Sequence, residues 1–111
     1  MNTNVERWKL LDFFDEEDIL EPEGIIVKYK IRTNDGCMLV LYISQYEKRA
    51  SITLIRPNSS DFIFEIDIKN VIKIDCTKTE LLIYKKMPQH WYDTADFIIT
   101  VKPNVRLSLD L

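Results

Sequence analysis

His90 is the single histidine of this 111-residue chain. Catalysis by one histidine needs a nucleophile, a carboxylate or a substrate phosphate beside it. Asp93 and Asp96 are near in sequence, but no Gly-x-Ser-x-Gly elbow or other nucleophile motif accompanies them. The expectation is a loop histidine with a local hydrogen bond. The run Asp15-Glu16-Glu17-Asp18 is the densest set of carboxyls. Glycoside hydrolysis needs two carboxyls from different elements facing across a cleft, one of them with a raised pKa. Four neighbours on one turn do not supply that pair. The Gly and the distal Glu of a calcium loop are missing too. The run is therefore plain surface or a patch that meets a partner.

The two glycines, Gly24 and Gly36, are twelve positions apart, so neither a P-loop nor a Gly-x-Gly-x-x-Gly fingerprint is present. Cys37 and Cys76 lie far apart with no close Cys or His companion, so no zinc-ligand spacing is present. They can pair only if the strands that hold them are neighbours. No metal and no cofactor is expected, and no enzymatic activity.

The net charge is −3, from 15 basic and 18 acidic residues. Duplex nucleic-acid binders carry a basic stripe and a high pI, so direct nucleic-acid binding is not expected. Lys28, Lys30 and Arg32 alternate along one strand, but Tyr29 falls on its opposite face, which reads as a solvated strand face and not as a stacking platform. The charge is uneven. Residues 1–24 hold eight acids (Glu6, Asp12, Asp15, Glu16, Glu17, Asp18, Glu21, Glu23) against Arg7 and Lys9, while the remainder is net positive. An acidic surface of this kind speeds association with a basic partner. The N-terminus has no basic-then-apolar leader pattern, and no apolar run approaches the ~18 residues that span a bilayer. The expected setting is the cytoplasm, without membrane contact.

The elements that must position these groups are mostly strands. Residues 3–14 read as a helix, with a Thr3/Glu6 capping box and a stripe of Val5, Trp8, Leu11 and Phe14 widened by Leu10 and Phe13. Pro22 and Gly24 close this acidic helical segment, 1–24. The body, 25–111, is a run of short strands at close spacing. These are Ile25–Arg32, Cys37–Ser44, Ala50–Arg56, Phe62–Ile68, Val71–Cys76, Leu81–Lys85, Phe97–Lys102 and Val105–Leu111. Asn34-Asp35-Gly36 is a hairpin turn, and Cys37–Ser44 is apolar enough to be central. Phe62, Phe64, Ile66 and Ile68 are placed on one face, Glu65 and Asp67 on the other. Short connections imply antiparallel neighbours. The fold expected is mainly β. It is a single-domain antiparallel meander of about eight strands, barrel-like or two-layered, with an N-terminal helix packed on it. In the longest irregular stretch, Met87–Ala95, Trp91 either folds inward and plugs one end of the body or, with Tyr92, anchors an interface.

An acidic, Trp-bearing N-terminal segment leads into a meander with an Asp-Gly turn and a terminal Phe-Ile-Ile-Thr-Val-Lys-Pro…Leu-Ser-Leu-Asp-Leu hairpin. This layout resembles the small immunity proteins of bacterial contact-dependent growth inhibition and other polymorphic toxin systems. The resemblance implies a non-catalytic toxin inhibitor that binds one cognate toxin domain 1:1 and occludes its active site. The toxin would be a basic nuclease, an RNase by preference. Asp15, Glu16, Glu17, Asp18, Glu21 and Glu23 would face its basic cleft, with Trp91 and Tyr92 as anchors. The alternatives are a small-ligand-binding β-barrel and an accessory module that assembles through an exposed edge strand.

Overall fold

Alternation along the strands determines which side chains are buried. In the computed structural model, which describes residues 4–5, 7–20, 26–87, 89–90, 93–101 and 106–109, ten strands and one helix follow in chain order. They are β1 (Asn4–Val5), α1 (Arg7–Phe13), β2 (Glu16–Ile19), β3 (Ile26–Arg32), β4 (Met38–Ser44), β5 (Arg49–Ile55) and β6 (Phe62–Ile68). Then come β7 (Lys73–Cys76), β8 (Glu80–Tyr84), β9 (Phe97–Thr100) and β10 (Arg106–Leu109). Val27, Tyr29 and Ile31 of β3 are buried, as are Ala50, Ile52 and Leu54 of β5. A period of two puts each set on one face of a pleated strand.

β2 to β6 form one five-stranded antiparallel sheet in sequential order. β4, the most apolar strand, occupies its centre, as its composition predicts. The second sheet has the order β1-β7-β8-β9-β10. β7 to β10 are antiparallel within it, and β1 lies parallel to β7. The inner faces of the two sheets share one core. Leu39, Leu41, Ile43 and Ile52 come from the first sheet, and Ile74, Leu81, Ile83 and Ile99 from the second. Each such side chain contributes about 1.5–3 kcal/mol on burial. The antiparallel two-layer expectation therefore holds. The barrel form does not, because among the described residues each sheet ends in two open edge strands and neither closes on itself.

Three local expectations need correction. The helix begins at Arg7 and not at residue 3, because Asn4 and Val5 pair with Lys73 and Ile74. Thr3 and Glu6 of the supposed capping box lie outside the described residues. The helix buries Leu10 and Phe13, and Phe14, whose N–H still donates to the Leu10 carbonyl just past its end, is buried beside them, while Leu11 is exposed. Its core stripe is thus i, i+3, i+4, the spacing of one helix face, and the side chains of Val5 and Trp8 lie outside the described ones. The Phe14 ring meets Phe13 edge-on at 4.9 Å and Tyr29 at 5.6 Å, which ties α1 to β3. Glu16–Ile19, read as part of the helical segment, is a strand: Asp15 N–H donates to the Lys30 carbonyl at 2.9 Å, and the ladder with β3 follows. β6 and β7, expected to be antiparallel neighbours from their short connection at Lys69-Asn70, do not pair. Asn70 adopts a positive φ of 59°, and the chain crosses from one sheet to the other. Val71 N–H donates to the Lys48 carbonyl at 2.8 Å at that crossing.

Candidate interaction face on the first sheet

The outer face of the β2–β6 sheet carries many polar side chains, and the register aligns them. One row across the strands reads Asp18, Lys28, Tyr42, Ser51, Asp67. The next reads Glu16, Lys30, Val40, Thr53, Glu65. A third reads Arg32, Met38, Ile55, Phe62. The first two rows each begin and end on an acid, with a lysine second and a hydroxyl fourth. Directly opposed, unlike charges stabilise a pair of strands by about 0.2–1 kcal/mol. The acidic run is therefore not one uninterrupted patch. Strand alternation sends Glu16 and Asp18 to the outer face opposite Lys30 and Lys28, and Glu17 to the inner face opposite Tyr29. Asp15 is exposed at the bend before β2. Glu21, Glu23, Trp91 and Tyr92 lie outside the described residues.

An open groove of about 550 Å³ runs over this face. Val40, Ile55 and Phe62 line its apolar end, and Glu47, Arg49 and Asp67 its charged end, with Tyr42 and Lys28 between. Arg49 grips Asp67 through both Nη2 and Nε and reaches Glu47 at 3.4 Å. The Asp67 carboxylate holds the guanidinium charged by hydrogen bonding and by its field. Glu47 is fixed from the other side by Ser44, whose hydroxyl donates to Oε1 at 3.4 Å. Phe62 reaches the groove through an irregularity. The pairing shifts between Leu54 and Ile55, so Ile63 is passed over and Ile55 meets Phe62. A bulge of this kind turns the next side chain to the opposite face. Phe62 is 54% exposed and shares the face of Glu65 and Asp67, a correction to its expected alignment with Phe64, Ile66 and Ile68.

Comparison with protein-family models, with curated proteins and with solved structures finds no match.

The other residues singled out for chemistry have structural partners. The Asp93 carboxylate accepts the backbone N–H groups of Gln89 at 2.9 Å and His90 at 3.0 Å, which holds the loop's turn. Asp96 accepts the Lys85 N–H at 2.6 Å. Cys37, immediately before β4, and Cys76, at the end of β7 in the other sheet, are not joined in a disulfide. Burial raises the Cys37 pKa, and the Asp35 carboxylate adds to the shift. Among the described residues, no group of three His, Cys, Asp or Glu side chains is placed to hold a metal ion. No described helix is long and apolar enough to cross a membrane.

Glu47, Arg49, Glu65, Asp67 and Phe62 were missed as a group by sequence reasoning. Glu65 and Asp67 are legible as exposed from alternation alone. The pairing of Asp67 with Arg49, 18 residues earlier, depends on the β5–β6 register.

Proposed function

We propose that this chain is a non-catalytic inhibitor that binds a cognate toxin domain 1:1 and blocks its active site, in the manner of the small bacterial immunity proteins. The toxin is a basic nuclease, an RNase by preference, met in the cytoplasm. The observation that carries this reading is the exposed outer face of the β2–β6 sheet. It is a broad surface whose rows end on Asp18, Asp67, Glu16 and Glu65, with Phe62 and Tyr42 as aromatic anchors. Interfaces of this class combine aromatic contact with charge-steered encounter. Glu16 and Asp18 lie on the β2 margin of that face, with Asp15 exposed at the bend before it.

The test is capture of partners on the tagged chain from its own host, separation under denaturing conditions, and assay of the refolded partner. A stoichiometric partner whose ribonuclease activity is silenced when the chain is added back supports the reading. A partner without nuclease activity, or one unaffected by the chain, overturns it. Reversing Glu16 and Asp18 to Lys should slow association about tenfold or more at low salt and much less at high salt. Equal rates would remove β2 from the interface.

A small amphipathic ligand in the groove is the second reading, favoured by a volume within the roughly 300–1,000 Å³ of small-molecule sites. It replaces the barrel-interior version, since the space between the sheets is filled by the core. Thermal stabilisation by a metabolite, lost on Phe62→Ser, would favour it.

A further inference from the structure

We propose that the free edge of β6 is a docking site for an extended, basic polypeptide segment that adds to the sheet as a further strand. β6 is seven residues long and terminates the sheet order, with β5 on one side and no strand on the other among the described residues. A terminal strand presents a row of backbone donors and acceptors that only another strand satisfies as a set. Proteins blunt such edges by shortening or charging them. The opposite edge, β2, is four residues long and acidic at three of them. β6 instead leaves Phe62 and Ile63 exposed, the latter at 44%, and keeps Phe64 and Ile66 half-buried against the core.

Charge selects the occupant. A second copy laid antiparallel against β6 meets its own acids in every central register. Centred on Phe64 it sets Asp61 opposite Asp67. Centred on Glu65, Ile66 or Asp67 it sets Glu65 opposite Glu65, Glu65 opposite Asp67, or Asp67 opposite Asp67. Like charges directly opposed destabilise a pair. A segment alternating basic and apolar residues meets the opposite situation. Its cations fall beside Glu65 and Asp67 on the outer face, and its apolar side chains continue the layer of Phe64 and Ile66. This inference concerns an edge and not the sheet face, and it holds whether or not the partner is a toxin.

The experiment is a titration of the isotope-labelled chain with a capped heptapeptide carrying lysine at alternate positions and valine or threonine between them. Its counterpart carries glutamate in place of lysine. At low salt the lysine peptide should shift and protect amides of residues 61–69 and bind roughly tenfold more tightly than the glutamate peptide. Glu65→Lys, at an exposed position, should reverse that preference while leaving the spectrum of the second sheet unchanged. Binding by neither peptide overturns the proposal, as does a response mapping to β2 or β10. A concentration-dependent dimer that protects β6 overturns it in favour of a second copy. No toxin enters this test, so its failure leaves the inhibitor reading standing, and failure of that reading leaves this edge standing.

Discussion

Asp35 shows how one side chain can hold a turn. Its carboxylate accepts the hydroxyl of the buried Thr33 and the Cys37 N–H at 3.4 Å, across the hairpin that joins β3 to β4. Gly36 completes the turn with a φ of +87°, a value that L side chains rarely adopt. The Thr33 hydrogen bond, aided by the Cys37 amide, lowers the Asp35 pKa from 3.8. A carboxylate whose folded pKa is depressed stabilises the fold above its unfolded pKa, and that contribution is lost as pH falls through the folded value. Asp35→Ala should therefore lower the melting temperature at neutral pH. The gap from wild type should close on acidification below 3.8. Thermal melts between neutral and strongly acid pH check this; a constant gap would assign the effect to packing and not to the charge.

The β4–β5 connection is an element under backbone strain. Lys48 adopts φ 53° although it is not glycine, and its carbonyl accepts the Val71 N–H at the crossing between sheets. A straight side chain tolerates this region at a cost, and a β-branched one tolerates it poorly. Lys48→Gly should be neutral or stabilising by up to about 1 kcal/mol, and Lys48→Val destabilising by about 1–2 kcal/mol. Urea denaturation of both variants measures the pair, and equal stabilities would show that the strain is relieved elsewhere. The β6 bulge is the second irregular element. It sends Phe62 outward, and no pattern of alternating residues announces it, because the shift is a property of two strands paired and not of either alone.

At the scale of the molecule, stability rests on the shared layer between the sheets. Leu41, fully buried, sits on the central strand between Tyr29 and Ile52 in register. Leu41→Ala should cost about 2–5 kcal/mol, read as a fall in the urea midpoint with the slope unchanged. Tyr46, 82% exposed in the β4–β5 loop, is the control, and Tyr46→Ser should stay within about 0.5 kcal/mol of wild type. A Leu41→Ala loss no larger than the control's would mean that the two sheets do not unfold as one unit. The helix joins the same unit, since Leu10, Phe13 and Phe14 complete the core.

What the sequence by itself determined were the strands of the body and their buried faces. Alternation in Ile26–Arg32 and Arg49–Ile55, the apolar run of β4 and the Asn34-Asp35-Gly36 turn are local signals, each readable within a few residues. The same alternation marks Glu65 and Asp67 as exposed. Only the tertiary structure decided that the meander divides into two sheets at Lys69-Asn70, and that Asn4-Val5 leaves the helix to pair with β7. It also turned the acidic run into an edge strand whose outer acids face Lys28 and Lys30. The physical reason is common to all three. Pairing partners and register are set by hydrogen bonds between segments far apart in the chain, so a local pattern specifies which face is buried but not which strand lies beside it.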